Sequence, residues 1–343
     1  MRPRARDRGF PSGMFPAGPF NAVTDVAGVR VGHATLWRGE PGDALVARTG
    51  VTVIDVAPDH SWDHRAYAGS HILHGIGQLT ARDMIEAQGF LSGPIFLTGT
   101  RSLGAVYDAA IADALGDGHD EVPIPVVGEC DDGYLSSPGA VVGPDDVAKA
   151  LAARAGGPVD EGAVGAGTGM HLFAYKGGIG TSSRQVTTLD SLPTYTVGVI
   201  VLTNFGSEQD LRLPPGIEKP DPPDARPHPG SCIGVAVTDA PLHPQQLSRL
   251  AMRIGFGLVR TGSVGRSGSG EIFLAASTAH RLNRESPLVE GSFLQDDFDG
   301  EVSVVSELYA ATADAAEEAV WNALCAATTV VGQQGRVVRS FYP

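Results

Sequence analysis

Three short stretches of the chain carry side chains whose types and spacing could do chemistry. The first is Gly230-Ser231, inside PHPGSCIGV, where a proline-rich run stops and a strand pattern starts at once. A serine hydroxyl is a weak nucleophile unless a base takes its proton. A serine at a chain terminus carries that base itself, as an α-amine with an ordinary pKa of about 7.7 to 8.0. An internal serine could gain such a terminus by attacking the carbonyl before it. Glycine obstructs that attack least, and an exposed loop gives the released end room. Taken alone, Gly-Ser before a strand is equally the plain junction of a loop and a strand.

The second stretch is RSGSGEIF, which puts Ser269 and Glu271 two residues apart at the start of a strand. A period of two sends both to one face, where a hydroxyl and a carboxylate can position a proton and stabilise an ammonium. The third is GECDDGYLSS, with the carboxylates Glu129 and Asp131 followed by Tyr134. Carboxylates there could hold a substrate's ammonium group. Asn204 ends the apolar run YTVGVIVLTN, where its side-chain amide could donate to an oxyanion or simply cap a turn.

The elements that must position these groups are legible from periodicity. Residues 28–36, 50–58, 93–99, 195–206, 231–240 and 271–278 read as strands, and 335–341 as a last short one. Residues 122–129 read as an edge strand because of their prolines. Helices are expected over 76–89, over 102–115 with Ser102 as cap, over 143–155, over 243–260 and over 303–328. Residues 207–230 hold seven prolines and cannot form a regular helix or a central strand. Short apolar strands mixed with helices imply a layered α/β domain whose strands are buried on both faces.

Composition narrows the class. Hydrophobic residues make up 42% of the 343, which is enough for a large core. A net charge of −14 argues against a nucleic-acid partner. No apolar run long enough to span a membrane occurs. Three widely spaced cysteines, Cys130, Cys232 and Cys325, form no metal motif and point to a reducing, cytoplasmic setting. The basic N-terminus, residues 1–20, reads as a loose arm and not as a secretory signal. The glycine run GAGTGM lacks the lysine of a phosphate loop, so close backbone packing is expected. His60, His64, His71 and His74 lack a second ligand cluster and are expected on the surface or in loops, with no metal.

Residues 230–280 as a block resemble the self-cleaving aminopeptidases of the DmpA-type L-aminopeptidase/D-esterase and β-peptidyl aminopeptidase family. TDAPL, LSRLA, GLVRTG and SGEIF recur in the family's order, and upstream GVRVGH, GAGTGM, KGGIGTSSR and VGVIVLTNFG match as well. The resemblance implies a four-layer αββα sandwich, a single domain over 21–343, cut at Gly230-Ser231 into chains 1–230 and 231–343. It implies Ser231 as nucleophile, Ser269 and Glu271 completing the catalytic set, and Asn204 at the oxyanion. The substrate would be a short peptide, aminoacyl amide or ester, with no cofactor, and the cleaved pairs would form homo-oligomers. Two departures stand out. Asp131 replaces an aromatic whose hydroxyl assists the oxyanion in some relatives; an ionised Asp131 cannot donate, and Tyr134, an odd number of residues along a strand, points the other way. HGIGQLTA (74–81) stands where relatives have an Asn-Gly-Asn-Gly-Glu-like run, so a differently shaped or less polar pocket is expected. An acyltransferase and an inert amine-binding protein on the same scaffold are the competing readings.

Overall fold

The computed structural model describes residues 2–56, 64–116, 118, 121–187, 192–220, 230–283, 286–296 and 303–343. In chain order the strands are β1 (Arg30–Arg38), β2 (Ala47–Asp55), β3 (His64–Gly75), β4 (Phe90–Ser92), β5 (Ile95–Gly99), β6 (Val126–Cys130) and β7 (His171–Leu172). They continue with β8 (Tyr175–Lys176), β9 (Ile179–Val186), β10 (Tyr195–Asn204), β11 (Ser231–Thr238), β12 (Gly270–Asn283), β13 (Val330–Val331) and β14 (Val337–Val338). The helices are α1 (Arg82–Gln88), α2 (Leu103–Gly116), α3 (Pro144–Ala152), α4 (Pro244–Thr261) and α5 (Val304–Ala326).

Two sheets carry the fold. One has the order β1-β2-β5-β6 and the other β4-β3-β12-β11-β10-β9. Alternate side chains of each strand enter different cores, which is what the period of two dictates. On β11, Ile233, Val235 and Val237 face the first sheet, together with Ile200 and Leu202 of β10 and Ile95 and Leu97 of β5. Their neighbours Cys232 and Ala236 face the other way, against Leu250 and Ile254 of α4 and Leu308 and Trp321 of α5. On the far side of the first sheet, Val51, Val53 and Phe96 pack on Val106 of α2 and Val147 of α3. The result is four layers: helices, sheet, sheet, helices. Strands β2, β5, β6, β10 and β11 are buried along their whole length, as two covered faces require.

Several sequence expectations need correcting. The helix expected over 76–89 is only α1. Ala81 sits in the left-handed region at φ 61, which ends any helix on its N-terminal side, and the Gln78 amide is taken by Glu129 at 2.8 Å. Ser102 does not cap α2: its hydroxyl accepts from the Val142 amide at 3.0 Å. β3 was read as loop histidines. His71 and His74 both lie on this strand, half-buried; His60 lies outside the described residues.

The N-terminal arm is not loose. Arg4 donates to Glu161 at 2.7 and 3.0 Å, Arg6 to Glu318 at 2.6 and 2.8 Å, and the Ala5 amide to Asn322 at 3.0 Å. Phe10 stacks on Trp321 at 5.2 Å. A buried carboxylate must be paired, and the arm supplies the cations for two of them. Its polar composition hid this, because the partners lie more than 150 residues away in sequence.

Other expectations hold. β6 lies at an edge of its sheet. The GAGTG run is a buried 3-10 turn in tight backbone contact: a Cβ on Gly167 would sit 2.5 Å from the Ile179 nitrogen. The three cysteines are buried and unbridged. Among the described residues no helix is long and apolar enough to cross a membrane.

Candidate active site

Ser231 is the first residue of β11, and the register explains its surroundings. It lies directly opposite Asn204 across the antiparallel β10–β11 pair and beside Gly270 across the parallel β11–β12 pair. Ser231 shares its face with Ile233, and Asn204 with Leu202, so both side chains enter the space between the sheets. Directly opposed residues bring their Cβ atoms to within about 5 Å. The Ser231 hydroxyl is buried and has no nitrogen or oxygen partner among the described residues; the Cys130 thiol lies beside it.

Gly230 is enforced by packing. A Cβ there would stand 2.6 Å from the Phe205 Cα and 2.8 Å from the Asn204 carbonyl oxygen. The carbonyl of Gly230, the group that Ser231 would attack, accepts a hydrogen bond from the Gly270 amide at 3.0 Å. A backbone N–H held there is also placed to stabilise charge developing on that oxygen.

Two cavities meet at this bond. The larger, about 460 Å³, is lined by Ser231, Glu129, Asp131, Thr100, Gly230 and Gly268 among others. The smaller, about 230 Å³, is lined by Ser269, Glu271, Ser207, Asp210, Gly230 and Gly268 among others. Gly230 and Gly268 line both, so the two cavities adjoin at the Gly230–Ser231 peptide and the Gly268 backbone. The expectation that Ser269 and Glu271 share a face is met: the Ser269 hydroxyl donates a short hydrogen bond to the Glu271 carboxylate. They do not share a face with the Ser231 side chain. Glu271 pairs with Cys232, whose side chain faces α4 and α5. The main-chain nitrogen of Ser231, by contrast, lies in the sheet between the two faces.

Burial pushes the Glu271 carboxyl up; the hydrogen bond from Ser269 and the charge of His74 act against this. Its second oxygen, Oε2, is buried without a partner among the described residues. Glu129 is raised mainly by burial as well, although Thr100 and the Gln78 amide both donate to it. Asn204 is fully buried. Its Oδ1 accepts from the His171 amide at 3.1 Å, and its Nδ2 donates to the Asp131 carbonyl at 3.0 Å. An amide nitrogen carries two hydrogens, so one N–H of Asn204 remains beyond that bond. Asp131 lines the larger cavity, with its own carboxylate turned back to the Gly133 amide.

Tyr134 is the candidate that the fold does not bring in. Its ring lies beneath the Arg336 guanidinium at 5.1 Å, packed with Leu135 and Val330, and it lines neither cavity. The sequence reading missed Thr100, His74 and Gly270. Thr100 follows an apolar strand and Gly270 is a backbone donor, so neither carried a side-chain signal; His74 did, as a departure from the family's pattern.

Comparison with known proteins agrees with this geometry. Residues 21–338 match the family Peptidase family S58. A beta-peptidyl aminopeptidase from Sphingosinicella xenopeptidilytica is 39% identical over 358 residues, covering 96% of this chain and 86% of that protein. The solved beta-aminopeptidase of a Burkholderia species is 38% identical with a TM-score of 0.87, covering 98% of this chain and 95% of that one. The L-aminopeptidase/D-Ala-esterase/amidase of Ochrobactrum anthropi, a prototype serine aminopeptidase with a variant of the Ntn hydrolase fold, is 36% identical with a TM-score of 0.88 over 99% and 95% of the two chains. The layered fold, the serine at the head of β11 and the match along nearly the whole chain lead to one assignment: this chain belongs to Peptidase family S58 and is an aminopeptidase of the N-terminal-nucleophile hydrolases.

Proposed function

We propose that the chain cuts itself between Gly230 and Ser231 and then removes N-terminal aminoacyl groups from short peptides, amides or esters. The observation that carries this reading is the Ser231 hydroxyl. It is buried and lacks a nitrogen or oxygen partner among the described residues, it lines a cavity of about 460 Å³ with Glu129, and it follows a residue that the packing restricts to glycine. In self-cleavage the Ser231 Oγ attacks the Gly230 carbonyl carbon. An ester forms, the Gly230–Ser231 C–N bond breaks, and the Ser231 nitrogen leaves as an amine. Water then hydrolyses the ester, giving a Gly230 carboxylate and a Ser231 with free amine and hydroxyl.

In turnover the same hydroxyl attacks the substrate carbonyl, and the α-amine takes its proton and passes it to the leaving amine. Glu271, reaching that amine from the smaller cavity and steadied by Ser269, stabilises its protonated form through the unpartnered Oε2. The remaining N–H of Asn204 donates to the oxyanion. Glu129 holds the substrate's ammonium; Asp131 adds negative charge beside it and shapes the pocket. Burial of the cysteines as free thiols suits a reducing cytoplasm, and assembly of the cleaved pairs into a homo-oligomer follows the family resemblance.

The test is hydrolysis of L-alanyl and β-alanyl p-nitroanilide beside their N-acetylated forms. The reading predicts release of p-nitroaniline from at least one free amine and none from the acetylated compounds. Equal hydrolysis of both forms would remove Glu129 as an ammonium site, and no hydrolysis of any would remove the aminopeptidase reading from this pocket.

A further inference from the structure

The end of β3 reaches the acid pair from the side opposite the nucleophile. Along the β3–β12 ladder Ile272 pairs with Ile72, whereas Glu271 pairs with His74, so one residue, Leu73, is bulged out. Without that irregularity Leu73 would stand opposite Glu271. The bulge brings His74 into that place, and re-aiming a side chain beside a site is what such bulges do. The His74 Nδ1 lies 2.6 Å from the Ser269 carbonyl oxygen. A carbonyl only accepts, so Nδ1 carries the hydrogen and the tautomer is fixed. The same carbonyl accepts from the Ile76 amide at 3.1 Å. Both lone-pair directions of the Ser269 carbonyl are thereby used. Ser269 in turn gives its hydroxyl hydrogen to Glu271. A chain of bonds therefore runs from the imidazole through residue 269 to the carboxylate.

We infer that His74 is a positioning residue for the Ser269–Glu271 pair, acting through the Ser269 carbonyl. This rests on the reading that Ser269 and Glu271 serve Ser231. Of the bonds that fix residue 269 from β3, the imidazole's is the one a side chain supplies, so it is the one a substitution can remove without altering the strand.

Two measurements test the inference. In kinetics on aminoacyl p-nitroanilides, His74→Ala is expected to lower kcat about tenfold, as loss of one well-aligned hydrogen bond does, with KM changed by less than about twofold. His74→Asn is expected to recover most of the loss and His74→Phe, which fills the space without a donor, none of it. A general folding defect would not separate Asn from Phe in this way. An unchanged kcat in His74→Ala, or equal losses in the Asn and Ala variants, would overturn the inference. The second measurement is ¹⁵N NMR of the His74 ring in the Ser231→Ala protein at alkaline pH. The Nδ1–H tautomer is expected; the Nε2–H tautomer would overturn the bond to Ser269 whether or not the wild type hydrolyses anything. A wild type that neither cuts itself nor turns over would sink the proposed function, and the NMR result would still decide the placement of His74.

Discussion

Two regions bury charged groups, and they treat them in opposite ways. Where the N-terminal arm meets α5, every carboxylate oxygen is matched. Glu318 accepts from Arg6 and Asn21 on one oxygen and from Arg6 and Arg184 on the other, at 2.6 to 2.8 Å. Glu161 accepts from Arg4 on both oxygens and from the Thr181 amide on one. At the Gly230–Ser231 bond the accounting stays open: among the described residues the Glu271 Oε2 and the Ser231 Oγ are buried without an oxygen or nitrogen partner. Buried polar groups are nearly always satisfied; the Arg184 Nε of the arm cluster also lacks a partner among the described residues, but the open atoms at Gly230–Ser231 belong to residues that line cavities, where an unsatisfied group can meet a substrate. Burial alone would raise the Glu318 carboxyl, yet the Arg6 hydrogen bond and the charges of Arg184 and Arg6 hold it below its ordinary value. Glu271 lacks such a cationic cage and stays raised.

Substitutions can break or sharpen this contrast. The largest effect belongs to Ser231→Ala, which should lower turnover of aminoacyl anilides by more than about 10³-fold while leaving the melting temperature nearly unchanged, read by kinetics and calorimetry side by side. Glu318→Ala should do the reverse. It leaves the Arg184 guanidinium, which is fully buried, without its carboxylate, and is expected to cost about 3 to 5 kcal/mol of stability in denaturant unfolding. The kcat per folded molecule should hold. A fall in kcat without a fall in stability would mean that the cluster belongs to the site.

Glu271→Gln comes next. It keeps the shape and loses the charge, so kcat should drop about 10²-fold. Stability should stay level or rise, because the change removes a carboxylate whose charged form burial disfavours. A clear loss of stability with normal turnover would move Glu271 into the structural class.

The smallest effect concerns Lys176, fully buried on β8, whose Nζ donates only to the carbonyls of Gly167 and Gly177 at 2.9 and 2.7 Å. Burial lowers its pKa to about 7. The unfolded chain therefore binds a proton there between pH 7 and about 10.4 that the folded chain does not, so stability rises with pH across that window. The Lys176→Met variant should lose this contribution, which has a maximal slope of about 1.4 kcal/mol per pH unit. Unfolding curves of both proteins at pH 7 and pH 9 check it, and parallel pH dependence would contradict it.

The sequence made the two halves of this contrast unequally legible. The strand starting at Ser231, the Ser269–Glu271 spacing and the amphipathic α4 were readable because each is local: a period, a turn, a junction. The sandwich came from several ordered blocks matching a family, since periodicity shows that a strand is buried on both faces but not what covers it. The arm was misread because Arg4 and Arg6 find Glu161 and Glu318 only after the chain has folded back. Tyr134 was misplaced because the backbone turns after β6 and carries the ring to Arg336. β3 was missed because its histidines masked a strand whose bulge is set by its partner β12.

The central claim is that the unpartnered serine at the head of β11 cuts the bond before it. Intact-mass spectrometry of the purified protein beside its Ser231→Ala variant tests this most directly. The account predicts two wild-type fragments, residues 1–230 and 231–343, the second beginning with serine, and one intact chain for the variant. A wild-type protein that stays whole under native conditions would contradict it, and Gly230-Ser231 would then be no more than the place where a loop meets a strand.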